Sequence, residues 1–313
     1  MKRKLFSVML CALALLLLMG AGVEPGSAAP LAIEEESTVS QVLDTETNSE
    51  AEVEAEEFAE EAQPVGDPTF LIDGQPAPVE ADRQLIGSMT YVVMAPVVQA
   101  IEPTAQITWD GATGTATVVT EKLTLTAKVG QNYVVANGRY LYVEDAVQRN
   151  AEGRVTLPLK VLTRAFDADL SWDGATDTIY VVRGSGAIES GEVFYNQDDL
   201  FWLSRVIFAE AGNQTLKGQM AVGNVVLNRV ESRQFPNTIV EVLSQRNQFS
   251  TWLGGRLANR VPTESCIIAA KLVMDGGVVE QTRGALFFDS LVRSWAARNK
   301  TYVTTLGGHK FYC

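Results

Sequence analysis

The feature that most constrains the fold is an internal repeat. The segment "ITWDGATGTATVV" at residues 107–119 returns 63 residues later as "LSWDGATDTIYVV", so that Trp109 corresponds to Trp172. In each copy, β-branched residues flank a "DGAT" turn, which predicts a β-hairpin with its tryptophan packed on one face. The segments "MAPVVQAI" and "LPLKVLTRAF" predict a short helix ahead of each hairpin. This repetition predicts a β-rich α+β domain over residues 68–184.

The N-terminal residues carry no signal of a packed fold. Residues 1–29 begin with three basic residues, continue with an apolar stretch and end in small residues, which is typical of a secretory signal peptide cleaved after Ala28. A retained membrane anchor stays open as the alternative. We expect a secreted protein with no stable membrane insertion after cleavage.

An acidic segment follows the predicted signal peptide. From Glu34 to Asp67 there are thirteen acidic residues and no basic one, which accounts for nearly all of the net charge of −13. Such a composition cannot bury enough surface to fold, so residues 30–67 are predicted to form a disordered linker. The glycine- and serine-containing stretch at residues 183–191 is predicted to be a second, flexible connection.

Residues 192–313 predict a second domain that is rich in helices. Leu203, Val206, Ile207 and Glu210 fall on one face of a helix that Asn and Asp residues can cap. Glu210 therefore lies at the end of an apolar stripe, and two interpretations stay open. It is either a charge that reaches water at the helix end, or a carboxyl group whose pKa is raised by burial, as a general acid requires.

Further segments complete this α-rich α+β domain. "TLKGQMAVGNVVLNRVES" predicts a second helix whose small residues allow close packing, and Thr238 with Glu241 predicts a capped third helix. A fourth helix is predicted to begin at Thr263 and to end at Gly276. "GALFFDS" and "TYVTTLGGHKFYC" predict short strands.

The supply of metal-binding and nucleophilic residues limits the possible chemistry. A zinc amidase needs several histidine and acidic ligands, and His309 is the single histidine of the chain. Cys266 with His309 could formally serve a thiol peptidase, but the apolar run around Cys266 favours a core thiol. A single disulfide between Cys266 and Cys313 also stays open. No nucleotide, haem or metal motif is present, so we expect no cofactor and no nucleic-acid partner.

The repeat unit and "VTLPLKVLTRAF" make residues 68–184 resemble the copper amine oxidase N-terminal-like domain, a stalk module of secreted proteins. Despite the name of this family, the segment has no histidine and no ligand spacing for a metal. The resemblance implies a spacer or a wall-adhesion module.

An ordered set of motifs makes residues 196–313 resemble the SleB/CwlJ cell-wall hydrolase family. These are "AEA", "AVGNVVLNRV", "FPNTIVEVL", "NQFS", "GALFF" and "GGHKFYC". The resemblance implies a lysozyme-like fold and cleavage of the β-1,4 bond of peptidoglycan glycan strands, as a lytic transglycosylase in the vegetative wall or the spore cortex. It implies that Glu210 is the essential acid. It also implies substrate-cleft roles for a further set of residues, Gln248, Ser250, Phe288, His309 and Tyr312.

This chain departs from the family at one point. Asp289 and Ser290 follow the aromatic pair where the family usually has Asn-Pro. A two-carboxylate hydrolase that uses Asp289 therefore stays open beside the mechanism with one acid. The other acidic candidates, Glu231, Glu241, Glu264 and Asp275, are predicted to lie at helix ends, caps or exposed faces. A non-catalytic wall-binding protein is the remaining alternative.

Overall fold

The computed structural model describes residues 67–246, 248–290 and 294–313. The predicted signal peptide and nearly all of the predicted acidic linker lie outside the described residues. The structure has a β-rich N-terminal region and a helical C-terminal region. None of the helices in the described ranges is long and apolar enough to cross a membrane.

The described part of the N-terminal region contains thirteen strands and two short α-helices, with a 3-10 helix at Val79–Ala81. In chain order these are β1 (Asp67–Ile72), β2 (Gln75–Ala77), β3 (Gln84–Ile86), β4 (Met89–Val93), α1 (Met94–Ile101), β5 (Gln106–Asp110), β6 (Thr115–Val119), β7 (Thr124–Lys128), β8 (Tyr133–Ala136), β9 (Arg139–Tyr142), β10 (Gln148–Arg149), β11 (Val155–Pro158), α2 (Leu159–Ala165), β12 (Asp169–Asp173) and β13 (Thr178–Val182).

The two copies of the predicted repeat form equivalent hairpins and pair with each other through equivalent strands. The hairpins β5–β6 and β12–β13 form as predicted, and Asp110 and Asp173 each accept a hydrogen bond from the backbone N–H two residues later in the turn. One sheet has the strand order β10-β11-β4-β3, and in it Val93 of β4 pairs with Thr156 of β11. Because these two residues are 63 positions apart, the two repeats meet at their equivalent residues.

The tryptophans of the two hairpins lie outside the hydrophobic core of this region. Trp109 is 44% exposed and Trp172 is 65% exposed, so neither belongs to the core. The core of this region is instead built from the aliphatic residues of α1 and α2 and the inner faces of the strands, with Phe70 and Phe166. The rings therefore lie on the surface of the repeat domain.

The connection between the two regions is also not the flexible segment that its composition predicted. Ile188 is buried in the N-terminal core, and its N–H donates to the carbonyl of Ala165. A Cβ at Gly184 would lie 1.7 Å from the carbonyl oxygen of Asp167, so only glycine fits there. The connection can pack along the β-rich region because a glycine stands where its backbone comes closest to the backbone of that region.

Among its described residues, the C-terminal region contains six α-helices and three strands. These are α3 (Gly191–Phe194), α4 (Gln197–Ala211), α5 (Leu216–Glu231), α6 (Ile239–Ser244), α7 (Glu264–Met274), β14 (Phe287–Asp289), α8 (Trp295–Asn299), β15 (Tyr302–Leu306) and β16 (His309–Tyr312), and short 3-10 helices occur at Ser250–Gly255 and Glu280–Thr282.

Local sequence signals set the ends of these helices. The side chain of Asn196 caps α4, and the hydroxyls of Thr238 and Thr263 cap α6 and α7, as predicted. Gly276, with a φ of +81°, follows the C-terminus of α7. The helix bounds therefore follow from residues that satisfy free backbone groups.

The helices α4, α5 and α7 pack tightly around one glycine. A Cβ at Gly223 of α5 would lie 3.0 Å from side-chain atoms of both Ile207 on α4 and Val273 on α7. The core of the C-terminal region forms around this contact. The strands pair in the order β14-β16-β15 and cover one side of the helices, which brings Phe311 into the core.

An acidic residue at the end of α7 joins the two regions. The carboxylate of Asp275, whose side chain is fully buried, accepts hydrogen bonds from Arg139 at 2.8 and 3.0 Å and from Arg164 at 2.5 Å. The hydroxyl of Tyr195 donates to it at 2.9 Å. Asp275 lies at the end of α7, as predicted. Its burial does not follow from the local sequence, because the arginines that bury it come from the distant β9 and α2.

Candidate active site

Glu210 lies in the last turn of α4, on the face that the apolar spacing predicted. Leu203, Val206 and Ile207 on this face are completely buried, and Glu210 itself is half-buried. Burial raises the pKa of the Glu210 carboxyl above its ordinary value, because the charged form loses hydration. No ion pair joins this carboxyl to any residue that the structure describes.

A hydroxyl group holds the Glu210 carboxyl in place. The Oγ1 of Thr251 donates to the Oε1 of Glu210 at 3.1 Å, and this hydrogen bond lowers the pKa of Glu210 by less than burial raises it. Thr251 is the residue that sequence reasoning missed. The motif "NQFS" stops one residue short of it, and nothing in the local sequence shows that its hydroxyl would reach α4.

The loop that carries Thr251 also contacts the three-stranded sheet. Phe249, two residues earlier, is buried and its ring lies 6.4 Å from that of Phe288 on β14. The ring of Phe288 meets His309 edge-on at 5.4 Å. The loop at residues 249–251 therefore connects Glu210 to Phe288 and His309, which places these three predicted residues around one segment.

His309 is nearly buried in β16 and its Nδ1 has no hydrogen-bond partner among the described residues. Burial lowers the pKa of the imidazole, and the charge of Asp289 opposes this effect. His309 therefore favours its neutral form, in which it can donate or accept one hydrogen bond at the sheet surface.

Tyr312 and Asp289 lie on the other face of this sheet. Successive side chains of a strand point to opposite faces, and Phe288 pairs with Phe311, whereas Phe287 pairs with Tyr312 and Asp289 pairs with Lys310. Asp289 accepts a short hydrogen bond from the hydroxyl of Ser294. The structure thus separates Tyr312 and Asp289 from the face that carries Phe288 and His309.

Gln248 and Ser250 flank the buried Phe249, and both are exposed. Ser250 begins the 3-10 helix Ser250–Gly255, one residue before the contact of Thr251 with Glu210. Trp252 in the same helix lies 5.0 Å from Trp202 of α4, ring to ring, and both line an open cavity of about 400 Å³. An aromatic wall therefore continues from the Thr251 contact along α4.

Two residues outside the predicted set brace this arrangement. The Oε1 of Gln214, just after α4, accepts from the N–H of Gly308 at 2.8 Å and so ties the end of α4 to the β15–β16 turn. The guanidinium of Arg229 on α5 donates to the carbonyl of Leu286 at 2.7 Å and lies 5.3 Å from the ring centres of both Phe249 and Phe287. Burial lowers the pKa of Arg229 to about 10.

The structure does not bring Cys266 and His309 together as a nucleophile and a base. Cys266 is fully buried in α7, and its sulfur accepts a hydrogen bond from Thr263, the cap of the same helix. Cys266 and Cys313 are both free thiols. Within the described ranges, no group of three or more His, Cys, Asp or Glu residues is arranged to hold a metal ion.

Comparison with known families divides the chain in the same way as its two regions. Residues 213–312 match the family model described as Cell Wall Hydrolase. This region belongs to the cell wall hydrolase family. Residues 71–181 match the copper amine oxidase N-terminal domain, so the chain carries a SleB/CwlJ-type hydrolase domain behind a stalk-type domain. The hydrolase match begins after Glu210, at residue 213.

Curated relatives of the hydrolase region are spore cortex-lytic enzymes. The enzyme of Bacillus cereus is 29% identical over 121 residues, which are 37% of this chain and 45% of the relative. That of Oceanobacillus iheyensis is 32% identical over 84 residues, which are 27% of each chain. The chain thus spans less than half the length of the curated relatives it matches.

Two solved structures also resemble the chain. The catalytic domain of the germination-specific lytic transglycosylase SleB from Bacillus anthracis is 26% identical, and the match covers 40% of this chain and all of that domain, with a TM-score of 0.35. The catalytic domain of the Bacillus cereus SleB protein is 26% identical, with 42% of this chain and all of that domain covered and a TM-score of 0.34.

The residues of the stalk-type domain do not fit a copper ion. Protein copper sites are built mainly from histidine, cysteine and methionine. Residues 68–187 contain neither histidine nor cysteine. The resemblance to the copper amine oxidase N-terminal domain is therefore one of fold family, and no chemistry here is derived through a metal.

Proposed function

We propose that this chain is a peptidoglycan-cleaving glycosidase that acts as a lytic transglycosylase, with Glu210 as its general acid and base. The observation that carries the proposal is the environment of Glu210. Its carboxyl is half-buried at the end of an apolar helix face, its pKa is raised by that burial, and its hydrogen-bond partner is the neutral hydroxyl of Thr251. A carboxyl in such an environment keeps a proton that it can donate.

In the proposed reaction, Glu210 protonates the glycosidic oxygen and the bond between that oxygen and the anomeric carbon breaks. The electron pair of the bond leaves with the oxygen, and the positive charge that develops at the sugar ring is quenched by a hydroxyl of the same sugar. The Glu210 carboxylate takes the proton of this hydroxyl and regenerates the acid. The step consumes no water and yields an anhydro-sugar, so one carboxyl group is sufficient.

The position of Asp289 supports the mechanism with one acid. A two-carboxylate glycosidase places its acids across the scissile bond, roughly 5–9.5 Å apart. Asp289 bonds to Ser294 and shares its sheet face with Lys310 and Tyr312, whereas the loop beside Glu210 packs on the opposite face. The role proposed for Asp289 is therefore structural.

The remaining residues have proposed roles in binding the glycan. Phe288 and His309 contribute one wall of the cleft, and Gln248 and Ser250 offer exposed polar groups at the loop beside Glu210. A cleft role for Tyr312 has less support, since it lies on the other sheet face. The fold proposed for residues 192–313 is lysozyme-like.

The wider biology is proposed from the relatives, which are named as spore cortex-lytic enzymes. In this proposal residues 1–29 direct secretion, residues 30–67 form a tether, residues 68–184 form a stalk, and the chain acts at the cell wall or spore cortex.

Mass spectrometry of the products tests the proposal. Isolated peptidoglycan is digested with the chain lacking residues 1–29, and with its Asp289→Asn variant as the matched control. Fragments with anhydro ends from both proteins are the expected result. Ordinary reducing ends that disappear in Asp289→Asn would instead show a two-carboxylate hydrolase. Released peptides would overturn the glycosidase, and a complete lack of fragments would indicate a binding protein.

A further inference from the structure

The β-rich region contains a groove far along the chain from Glu210. A cavity of about 750 Å³ lies between the β3–β4 hairpin, the start of α2 and the β12–β13 hairpin. Its walls carry three exposed apolar side chains, Trp172, Leu85 and Leu170, of which the first two are 65% and 76% exposed. Charged side chains also line it, namely Arg83, Lys160 and Asp177. Cavities of this size and mixed character are typical of sites for small molecules or short chain segments.

The indole of Trp172 is held rigidly in this groove. Its Nε1 donates to the carboxylate of Asp177 at 3.1 Å. Its benzene ring covers Gly174, where a Cβ would lie only 3.0 Å from the ring. An exposed ring that is fixed on one side by a hydrogen bond and a glycine turn is a preformed platform, so a ligand that stacks on it needs little ordering of this side chain.

The first repeat supplies an internal comparison. Its equivalent cavity, beside Trp109, has a volume of about 280 Å³ and is lined by the corresponding start of α1 and the β5–β6 hairpin. There the guanidinium of Arg149 lies 5.3 Å from the centre of the Trp109 ring. The strand register gives Arg83, just before β3, as the counterpart of Arg149, and the guanidinium of Arg83 is held by Asp67 and Thr69.

The two grooves therefore differ in one decisive respect. The chain covers the ring of Trp109 with a cation of its own, which satisfies the attraction of the aromatic face for positive charge. No cationic side chain stacks on Trp172 among the residues that the structure describes. The second repeat keeps an open aromatic face where the first repeat places Arg149 over its ring.

We infer that the groove around Trp172 is a carbohydrate-binding site for a glycan strand of peptidoglycan. The face of a pyranose ring is made of C–H bonds and packs on an indole, and Arg83, Lys160 and Asp177 can bind the hydroxyl, acetamido and carboxylate groups at its edge. Lys160 forms no ion pair with the described residues, so it is available to the carboxylates of an anionic sugar strand.

This inference rests on the proposed function for its choice of ligand, because the hydrolase domain of the same chain would act on the same polymer. A second site on one chain raises the local concentration of the glycan at the cleft without any change in the cleft itself. The contacts of Asp275 with Arg139 and Arg164 join the two domains, so the separation between the two sites is fixed.

Binding to insoluble, purified peptidoglycan freed of teichoic acid tests the site. All proteins lack residues 1–29 and carry Glu210→Gln, so that the polymer is not consumed, and Trp172→Ala is compared with the matched control Trp109→Ala. Removal of an aromatic anchor is expected to weaken binding about tenfold in Trp172→Ala. Trp109→Ala is expected to bind like its parent, because Arg149 already covers that ring.

The possible results separate this site from the proposed activity. Equal binding by the two tryptophan variants, or no binding by the parent, would overturn the site, even if the protein with Glu210 cleaves peptidoglycan. If only Trp172→Ala binds more weakly, the result supports the site, even if the protein that keeps Glu210 releases no fragments from peptidoglycan. Thermal melting checks folding, and both variants are expected to melt like the parent because each ring is on the surface.

Discussion

The substitution Asp275→Asn is expected to weaken the joint between the two domains. The Asp275 side chain is fully buried, and it faces the guanidinium of Arg139, whose side chain is 7% exposed. Removal of one partner from a buried ion pair leaves the other charge uncompensated and typically costs about 3–5 kcal/mol. Arg164 adds little to this figure because its side chain is 42% exposed and water screens it.

The loss can be measured by thermal melting. For a domain pair of this size, about 3–5 kcal/mol corresponds to a fall in Tm of about 6–20 °C. The matched control is Glu280→Gln, which removes an exposed ion pair with Arg283 and is expected to leave the melt unchanged. If Asp275→Asn melts like this control, Asp275 does not hold the domains together and the interface described here is wrong. A double variant with Arg139→Met is expected to recover part of the loss, since no buried charge is left alone.

Two further predictions concern the site and its helices. Thr251→Val removes the hydrogen bond that favours the charged form of Glu210, so the pKa of Glu210 rises. The high-pH limb of the activity profile is therefore expected to move to higher pH. Thr251→Ser keeps the hydroxyl and is expected to leave this limb where it is in the parent. An unshifted limb in Thr251→Val would contradict this contact. Gly223→Ala forces a methyl group against Ile207 and Val273 and is expected to destabilise the fold by about 1–3 kcal/mol, measured by urea denaturation.

Local features of the fold could be predicted from the sequence because they depend on neighbouring residues. The caps of α4, α6 and α7, the two "DGAT" hairpins and the stripe that ends in Glu210 all follow from side chains a few positions apart. The sequence could also have predicted that Phe288 and Tyr312 lie on opposite faces of the sheet, since the side chains of a strand alternate between faces. The resemblance to the family implied a cleft role for both residues, and that implication takes no account of the alternation.

Features that depend on distant parts of the chain could not be predicted. Asp275 has the local pattern of an exposed helix end, and only the fold brings Arg139 and Arg164 to it. Thr251 reaches Glu210 across 41 positions. The groove beside Trp172 likewise depends on the β3–β4 hairpin of the other repeat, which forms its far wall.

The most direct test of the central claim is the activity and stability of Glu210→Gln. Because burial raises the pKa of Glu210, the folded state binds this proton more tightly than the unfolded state does, and ionisation at higher pH destabilises the fold. Glutamine keeps the shape and removes the charge. The variant is therefore expected to melt at or above the temperature of the parent, with an advantage that grows as the pH rises.

On isolated peptidoglycan the same variant is expected to release no anhydro fragments, which corresponds to a loss of at least about a hundredfold for an essential general acid. Loss of activity with an unchanged or higher melting temperature is the result that the proposed mechanism predicts. Fragment release at the rate of the parent would show that Glu210 is not the acid. A large fall in the melting temperature would show that its role is structural.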